Sequence, residues 1–485
     1  MGYPDLPRTQ LFIAGEWADS QGGETFSVID PSTETQICEV AAAAPTDVDR
    51  AVTAARHQFD GGEWSRMSGA ERARLLIRLA ELVEANAEHF AALEAREVGK
   101  PYADTLAVDV PLAIETFRYF AGWADKITGA TVPVPDFMGK LRFSYTERVP
   151  VGVVAAITPW NAPTMITSWK LASALAAGCT VVLKPAEDAP LTSLLLAELV
   201  AEAGFPPGVL NVIPGLGAVA GAALTEHPGI DKISFTGSPD VGRIIARAAS
   251  ESFKQVTLEL GGKSPQIVLP GADVAELAPV AAASLFANSG QTCAAGTRVL
   301  VHRSLVSEVA EALREQAAAQ RLGDPFDART TMGSLINARQ RDRVMDYVAA
   351  GIEQGATLVT GGKHREGPGF FVEPTVFVGT NDLTIAREEI FGPVGTIIPF
   401  DDVDDAIRLA NDTRYGLAAV VWSHDIPTVL SLTRRLRVGA VWVNAWGAPD
   451  PRLPWGGTKT SGIGRELGLS GLHANTEERV VNIVY

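Results

Sequence analysis

Cysteine is scarce: Cys38, Cys179 and Cys293 are the only three in 485 residues. An odd number with no CxxC pair builds neither a disulfide framework nor a thiolate zinc site, so each is read as a free thiol. The seven histidines have no HExxH or paired spacing, which sets aside the common metallohydrolases, and no metal is expected. Positive charge is nowhere concentrated. With 57 acidic against 41 basic residues and a net charge of −16, a phosphate backbone is a poor partner and no nucleic-acid binding is expected. Gly, Pro or charge breaks every apolar run well before the roughly 18 residues a membrane span needs. The opening MGYPDLPRTQ lacks a basic region followed by an apolar one, so the expectation is a soluble, cytoplasmic protein with no membrane partner. No fixed-period repeat is visible, which excludes a solenoid or propeller.

What is present is enough chain for two or three cored domains, at about 150 residues each. Leu75, Leu76, Leu79, Leu82, Val83 and Phe90 recur at steps of three and four, predicting an amphipathic helix over 71–90. From Val151 the texture changes to short apolar runs alternating with helical stretches. GVVAAIT, TVVLKP, VLNVI, KISFTG and VTLEL read as strands, and 165–177, 191–203, 218–224 and 238–249 as helices between them. Strands apolar on both faces predict a parallel sheet covered by helices. QIVLP, a helix over 274–287, TRVLVH and a helix over 305–320 begin a second α/β unit. TVPVPDFMGKLRFSYTERV reads as a hairpin-like extended segment and ERVVNIVY as a lone strand in need of a partner.

Several short segments carry chemistry. Gly215, Gly217 and Gly221 make GxGxxxG, one residue longer than the dinucleotide fingerprint and equally the mark of an ordinary strand-to-helix turn. In KISFTGSPDVG, Gly237 and Ser238 sit at a helix start with Gly242 one turn on; free N–H groups and the positive dipole end there suit a pyrophosphate, and Ser238 reads as cap, ligand or both. Lys184 and Glu187 in VVLKPAE follow a buried strand at its carboxyl end, where open sheets bind ligands, although loop charges there are often only solvated. FANSGQTCAAGTR places Cys293 in a polar, glycine-rich turn that permits approach to the thiol, whereas Cys38 and Cys179 read as small buried hydrophobes.

PWN, LKPAE, FTGS, LELGGK, GQTC, EEIFGP and PWGGTKTSGIGRELG occur in one order along nearly the whole chain. In this the sequence resembles the aldehyde dehydrogenase superfamily. The resemblance implies Cys293 as nucleophile, Asn161 as oxyanion donor together with the Cys293 N–H, and Glu259 as the base that activates water for thioester hydrolysis. Coenzyme A-acylating relatives lack a glutamate at that position, which favours release of a free acid. Lys170 and Glu466 match positions that relay the proton outward, with a surface ion pair as the plainer reading. NAD is the implied cofactor, held by Ile157, Thr158, Pro159, Trp160, Lys184, Glu187, Gly217, Phe235, Thr236, Gly237, Ser238, Leu260, Gly261, Glu389 and Phe391.

The resemblance also implies an architecture: a Rossmann-like cofactor domain over 1–123 and 147–259, an α/β catalytic domain over 260–460, and a small β oligomerisation flap over 124–146 and 461–485. The tail strand would find its partner in a neighbouring subunit of a homodimer or homotetramer. Ala162, Met165, Ile166, Trp169, Trp446 and Pro449 match substrate-tunnel positions. Ala162 is small where many relatives carry an aromatic, so a roomier tunnel for an apolar aliphatic or aromatic aldehyde is expected, and one wall of the aromatic box for a quaternary ammonium is missing. Trp455 stands where the family usually has Phe, a swap expected to be absorbed by local repacking.

Overall fold

Five apolar segments, Val153–Ile157, Thr180–Lys184, Leu210–Val212, Lys232–Gly237 and Gln255–Leu260, are parallel strands, the first three buried throughout. The computed structural model describes residues 4–447 and 449–485. Residues 1–3 of the amino-terminal stretch weighed above, and residue 448 inside the expected catalytic range, lie outside the described residues. Helices Pro163–Ala177, Leu191–Ala203 and Pro239–Ser250 alternate with the strands, as the pattern required. The helix expected over 218–224 is instead a wide turn, Gly217–Gly221, running into the short helix Ala222–Glu226.

Strand order decides where a ligand can sit. Val153–Ile157 lies between Lys232–Gly237 on one side and Thr180–Lys184 on the other, so successive connections leave it in opposite directions. A crevice opens at the carboxyl ends of such strands. Thr158 to Asn161, Lys184 and Gly237–Ser238 all follow directly on those three ends.

The second sheet takes its seven strands from 357–443 and the segments Pro265–Val268 and Arg298–His302, with only Thr357–Thr360 antiparallel. Its helices Val274–Phe286 and Val306–Ala318 stand within two residues of expectation.

Three expectations need correction. The helix over 71–90 is two helices, Gly69–Ala85 and Ala87–Val98, broken where the Asn86 side-chain amide donates to Leu82 O at 2.8 Å and competes with the backbone. The tail strand Thr476–Val484 pairs within its own chain, antiparallel to Arg142–Pro150 over nine residue pairs, because the extended segment 131–150 presents an open edge to it. Residues 461–485 are not one flap: Gly462–Ile463 joins the edge of the first sheet beside Leu258 and Glu259. Gly462 makes that approach possible, since a Cβ there would lie 2.2 Å from Leu258 O and its φ of +155° suits glycine.

Candidate active site

The loop after Val153–Ile157 and the segment after Val274–Phe286 are tied together across the two sheets. The Asn161 side-chain amide donates to Gln291 O at 2.9 Å, and the Asn288 amide donates to Asn161 O at 2.8 Å. Asn288, Ser289 and Gly290 turn the chain through left-handed φ values of 49°, 55° and 72°. Gly290 packs so closely that a Cβ would meet Gly392 O at 2.1 Å. That reversal presents Cys293 as a partly accessible thiol. Burial, and then the charges of Glu389 and Glu259, push the thiol up to about 12. A thiol so raised carries its proton at neutral pH.

Glu259 ends the strand Gln255–Leu260 and is buried, with neither carboxylate oxygen partnered. Burial first, then the charge of Glu466, holds its carboxyl well above the ordinary range, with Lys170 and Arg465 opposing. Gly456, inside PWGGTKTSG, explains part of that motif: a Cβ there would sit 2.5 Å from Glu259 Oε1. Lys170 and Glu466 are no surface pair. Nζ and Oε1 stand 2.6 Å apart with side chains 0% and 5% exposed, and Ser234 bonds both.

On the crevice side, Lys184 Nζ donates to Pro185 O at 2.7 Å and Glu187 Oε2 at 3.3 Å. Partial burial would raise Glu187, but Lys184 and the N–H of Gly217 hold it below its ordinary value. Gly217 and Gly221 line this pair, where a Cβ would stand 3.9 Å from Glu187 Oε1 and 3.5 Å from Lys184 Cδ. Thr158 N donates to Lys184 O at 3.2 Å, and Ile157 pairs with both Lys184 and Phe235 in the sheet. Ser238 caps Pro239–Ser250 by accepting from Val241 N at 3.3 Å. Glu389 Oε1 accepts from Gly262 N at 2.9 Å, its carboxyl raised by burial to about 7. Its other oxygen occupies the space a Cβ on Gly261 would need, at 1.8 Å. Phe391, held at φ 59°, sets its ring edge-on to Trp160 at 5.3 Å.

The aldehyde dehydrogenase family profile matches residues 17–481. The chain belongs to the aldehyde dehydrogenase family. It is similar to retinal dehydrogenase 2 of Homo sapiens, 44% identical over 99% of this chain and 92% of that one. It is also similar to the mitochondrial aldehyde dehydrogenase of Mesocricetus auratus, 45% identical over 99% and 96%. Among solved structures, the NAD+ complex of aldehyde dehydrogenase from Bacillus cereus superposes with a TM-score of 0.96 at 45% identity, covering 98% of this chain and 96% of that one. The family is one of NAD-dependent oxidoreductases.

In this aldehyde dehydrogenase, Cys293, Glu259 and Asn161 line one cavity of ≈430 Å³. Ala162, Met165, Ile166, Trp169, Trp446 and Pro449 line it too. Its aromatic surface is larger than the motifs suggested. Trp455 stands 6.2 Å from Trp169 and 5.9 Å from Trp442, so three indoles form a continuous wall, and Trp446 donates its N–H to Ala294 O at 3.1 Å beside Cys293. Trp442, Phe286, Val108 and the buried Lys100–Asp109 pair at 2.8 Å also line the cavity and were missed. Trp442, Val108 and Lys100 come from segments without a family motif, whereas Phe286 opens FANSGQTCAAGTR itself; for Lys100, the acidic residues Asp104 and Asp109 soon after it were the available signal. Ala162→Phe would fill this space. The expected result is a loss of about 10-fold in kcat/KM for a bulky aromatic aldehyde with little change for acetaldehyde, measured as the ratio of the two.

Proposed function

We propose that the enzyme oxidises an apolar aliphatic or aromatic aldehyde to its carboxylic acid with NAD, through a thioester on Cys293 hydrolysed by water that Glu259 activates. The observation that carries this reading is the convergence of a partly accessible thiol, a buried unpartnered carboxylate and a side-chain amide on one cavity. Steady-state NADH formation with simple aldehydes, and identification of the acid product without added coenzyme A, tests it. A strict coenzyme A requirement would overturn the hydrolytic half.

Cys293 Sγ attacks the aldehyde carbon, and its proton leaves to the solvent that this partly accessible thiol meets. The new oxyanion is met by Asn161, whose amide has a second N–H beyond the one given to Gln291, and by the N–H of Cys293. Bound NAD would supply the hydride acceptor, and loss of hydride from that carbon would leave a thioester on the Cys293 sulfur. Glu259 then takes a proton from water, whose oxygen displaces Cys293 from the acyl carbon. Lys170 and Glu466 carry that proton away.

The crevice fits NAD in its donor set. The Thr158 and Thr236 hydroxyls are buried without partners, the amino end of Pro239–Ser250 offers N–H groups, and Lys184 supplies a cation. Ile157, Pro159, Trp160, Gly217, Phe235, Gly237 and Leu260 would wall the cofactor, with Glu187 on the adenosine ribose and Glu389 and Phe391 on the nicotinamide side. A carboxylate at 187 repels a 2′-phosphate. Glu187→Gln is therefore expected to raise the NADP-to-NAD ratio of kcat/KM about 10-fold, and equal use of both cofactors by the unaltered enzyme would refute the preference.

The homo-oligomeric reading is supported by apolar side chains left in the open on the three-stranded sheet and its approach: Leu141 57%, Val480 62% and Ile483 46% exposed. That sheet, built from Thr131–Val132, Arg142–Pro150 and Thr476–Val484, is the assembling unit of a dimer or tetramer in this reading. Three free thiols fit a reducing compartment, so we place the enzyme in the cytoplasm.

A further inference from the structure

We propose that Ser234 is a positioning residue for thioester hydrolysis: bridging Lys170 and Glu466, its hydroxyl fixes one oxygen of Glu466 and leaves the other free to take the proton that Glu259 draws from water. This rests on the reading of Glu259 as the base.

Ser234 lies in Lys232–Gly237, beside Thr257, while Thr236 lies beside Glu259. Side chains alternate along a strand, so Ser234 and Glu259 project from the same face. Lys170, from Pro163–Ala177, meets that face. Its Nζ donates to Glu466 Oε1 at 2.6 Å and to Ser234 Oγ at 3.2 Å, and Ser234 Oγ donates to the same Oε1 at 2.9 Å. Ser234, Lys170, Glu466 and Glu259 are all at most 5% exposed. Glu466 Oε2 and both oxygens of Glu259 are buried without a partner. Two donors thus converge on one oxygen of Glu466 and none on the other.

The hydroxyl matters because an ammonium is a point charge with three donors and does not choose between carboxylate oxygens. Lys170 alone would let Glu466 rotate and offer it both. With Ser234 holding Oε1, Oε2 stays available: the Glu259 acid gives its proton to the Glu466 carboxylate and returns to carboxylate, with no electrons transferred. The other charge that faces Glu466 is Lys232, whose ammonium donates to Ala474 O and is lowered by burial to about 8, while Arg465 acts on Glu259.

Stopped-flow NADH formation in the full-length enzyme tests this. Ser234→Ala should keep the rate of the first-turnover burst and lower kcat about 3- to 10-fold. Ser234→Thr, which keeps the hydroxyl, should restore kcat, and Ser234→Cys, a weaker donor, should fall between. Wild-type kcat in Ser234→Ala would overturn the inference, as would a burst rate that falls in step with kcat. If Glu259→Gln turns over like the wild type, the base reading itself fails. If Glu259→Gln halts after the burst while Ser234→Ala is unaltered, only the role of Ser234 fails.

Discussion

Cys293→Ser is expected to lose at least about 10³-fold in kcat/KM for every aldehyde, read as NADH formation. The thiol already sits at about 12 under burial and two carboxylates, and a serine hydroxyl in the same slot is far harder to deprotonate. The substitution changes one atom in a site held by Asn161, Asn288 and Gln291, so the thermal midpoint and NAD affinity should stay at wild-type values. Cys38→Ser and Cys179→Ser are the controls. Cys179 is buried with its Sγ on Asn475 O, and Cys38 is half-buried in the two-stranded sheet beside Val28, so neither should alter turnover of folded enzyme. Wild-type activity in Cys293→Ser would remove the thioester from the mechanism.

Glu259→Gln should split the reaction in two. Acylation needs Cys293 and Asn161, so one equivalent of NADH per site should appear in a burst, and steady-state turnover should then fall about 10²- to 10³-fold as the thioester persists. Added hydroxylamine, which cleaves thioesters without a general base, should restore turnover. Loss of the burst along with turnover would place Glu259 in acylation instead. In the wild type the base works only when deprotonated. Because burial and Glu466 hold its carboxyl well above the ordinary range, the acid limb of kcat should lie well above pH 4.5. Stability runs the other way. A carboxyl raised on folding favours the protonated chain, so its contribution is present at low pH and is lost as pH rises through the folded value. Glu259→Gln should therefore gain thermal stability at neutral pH, since no buried, unpartnered charge remains.

The parallel cofactor sheet was legible because both-face burial writes an unbroken apolar run: four of the five strands from Val153 to Leu260 fall within the segments that pattern marks, and the fifth starts one residue earlier. The same logic failed at Asn86, where a side-chain hydrogen bond breaks a helix without breaking its hydrophobic period. Cys293 could be told from Cys179 only through the company of other motifs. Its own neighbourhood is polar and glycine-rich, and its proximity to Glu259 and Asn161 is a product of two sheets meeting. Ser234 was illegible for that reason: it works through Glu466, 232 positions on.

The strand Gly462–Ile463 also sets a timetable. It closes the edge of a sheet whose other strands are all made by residue 260, yet the entire catalytic domain is synthesised in between. On the ribosome, Gln255–Leu260 emerges with one side unpaired, the kind of edge that recruits foreign strands, and Lys170 waits in an apolar interior without its counter-ion. A nascent chain halted before residue 462 is expected to need chaperone protection that the finished chain does not.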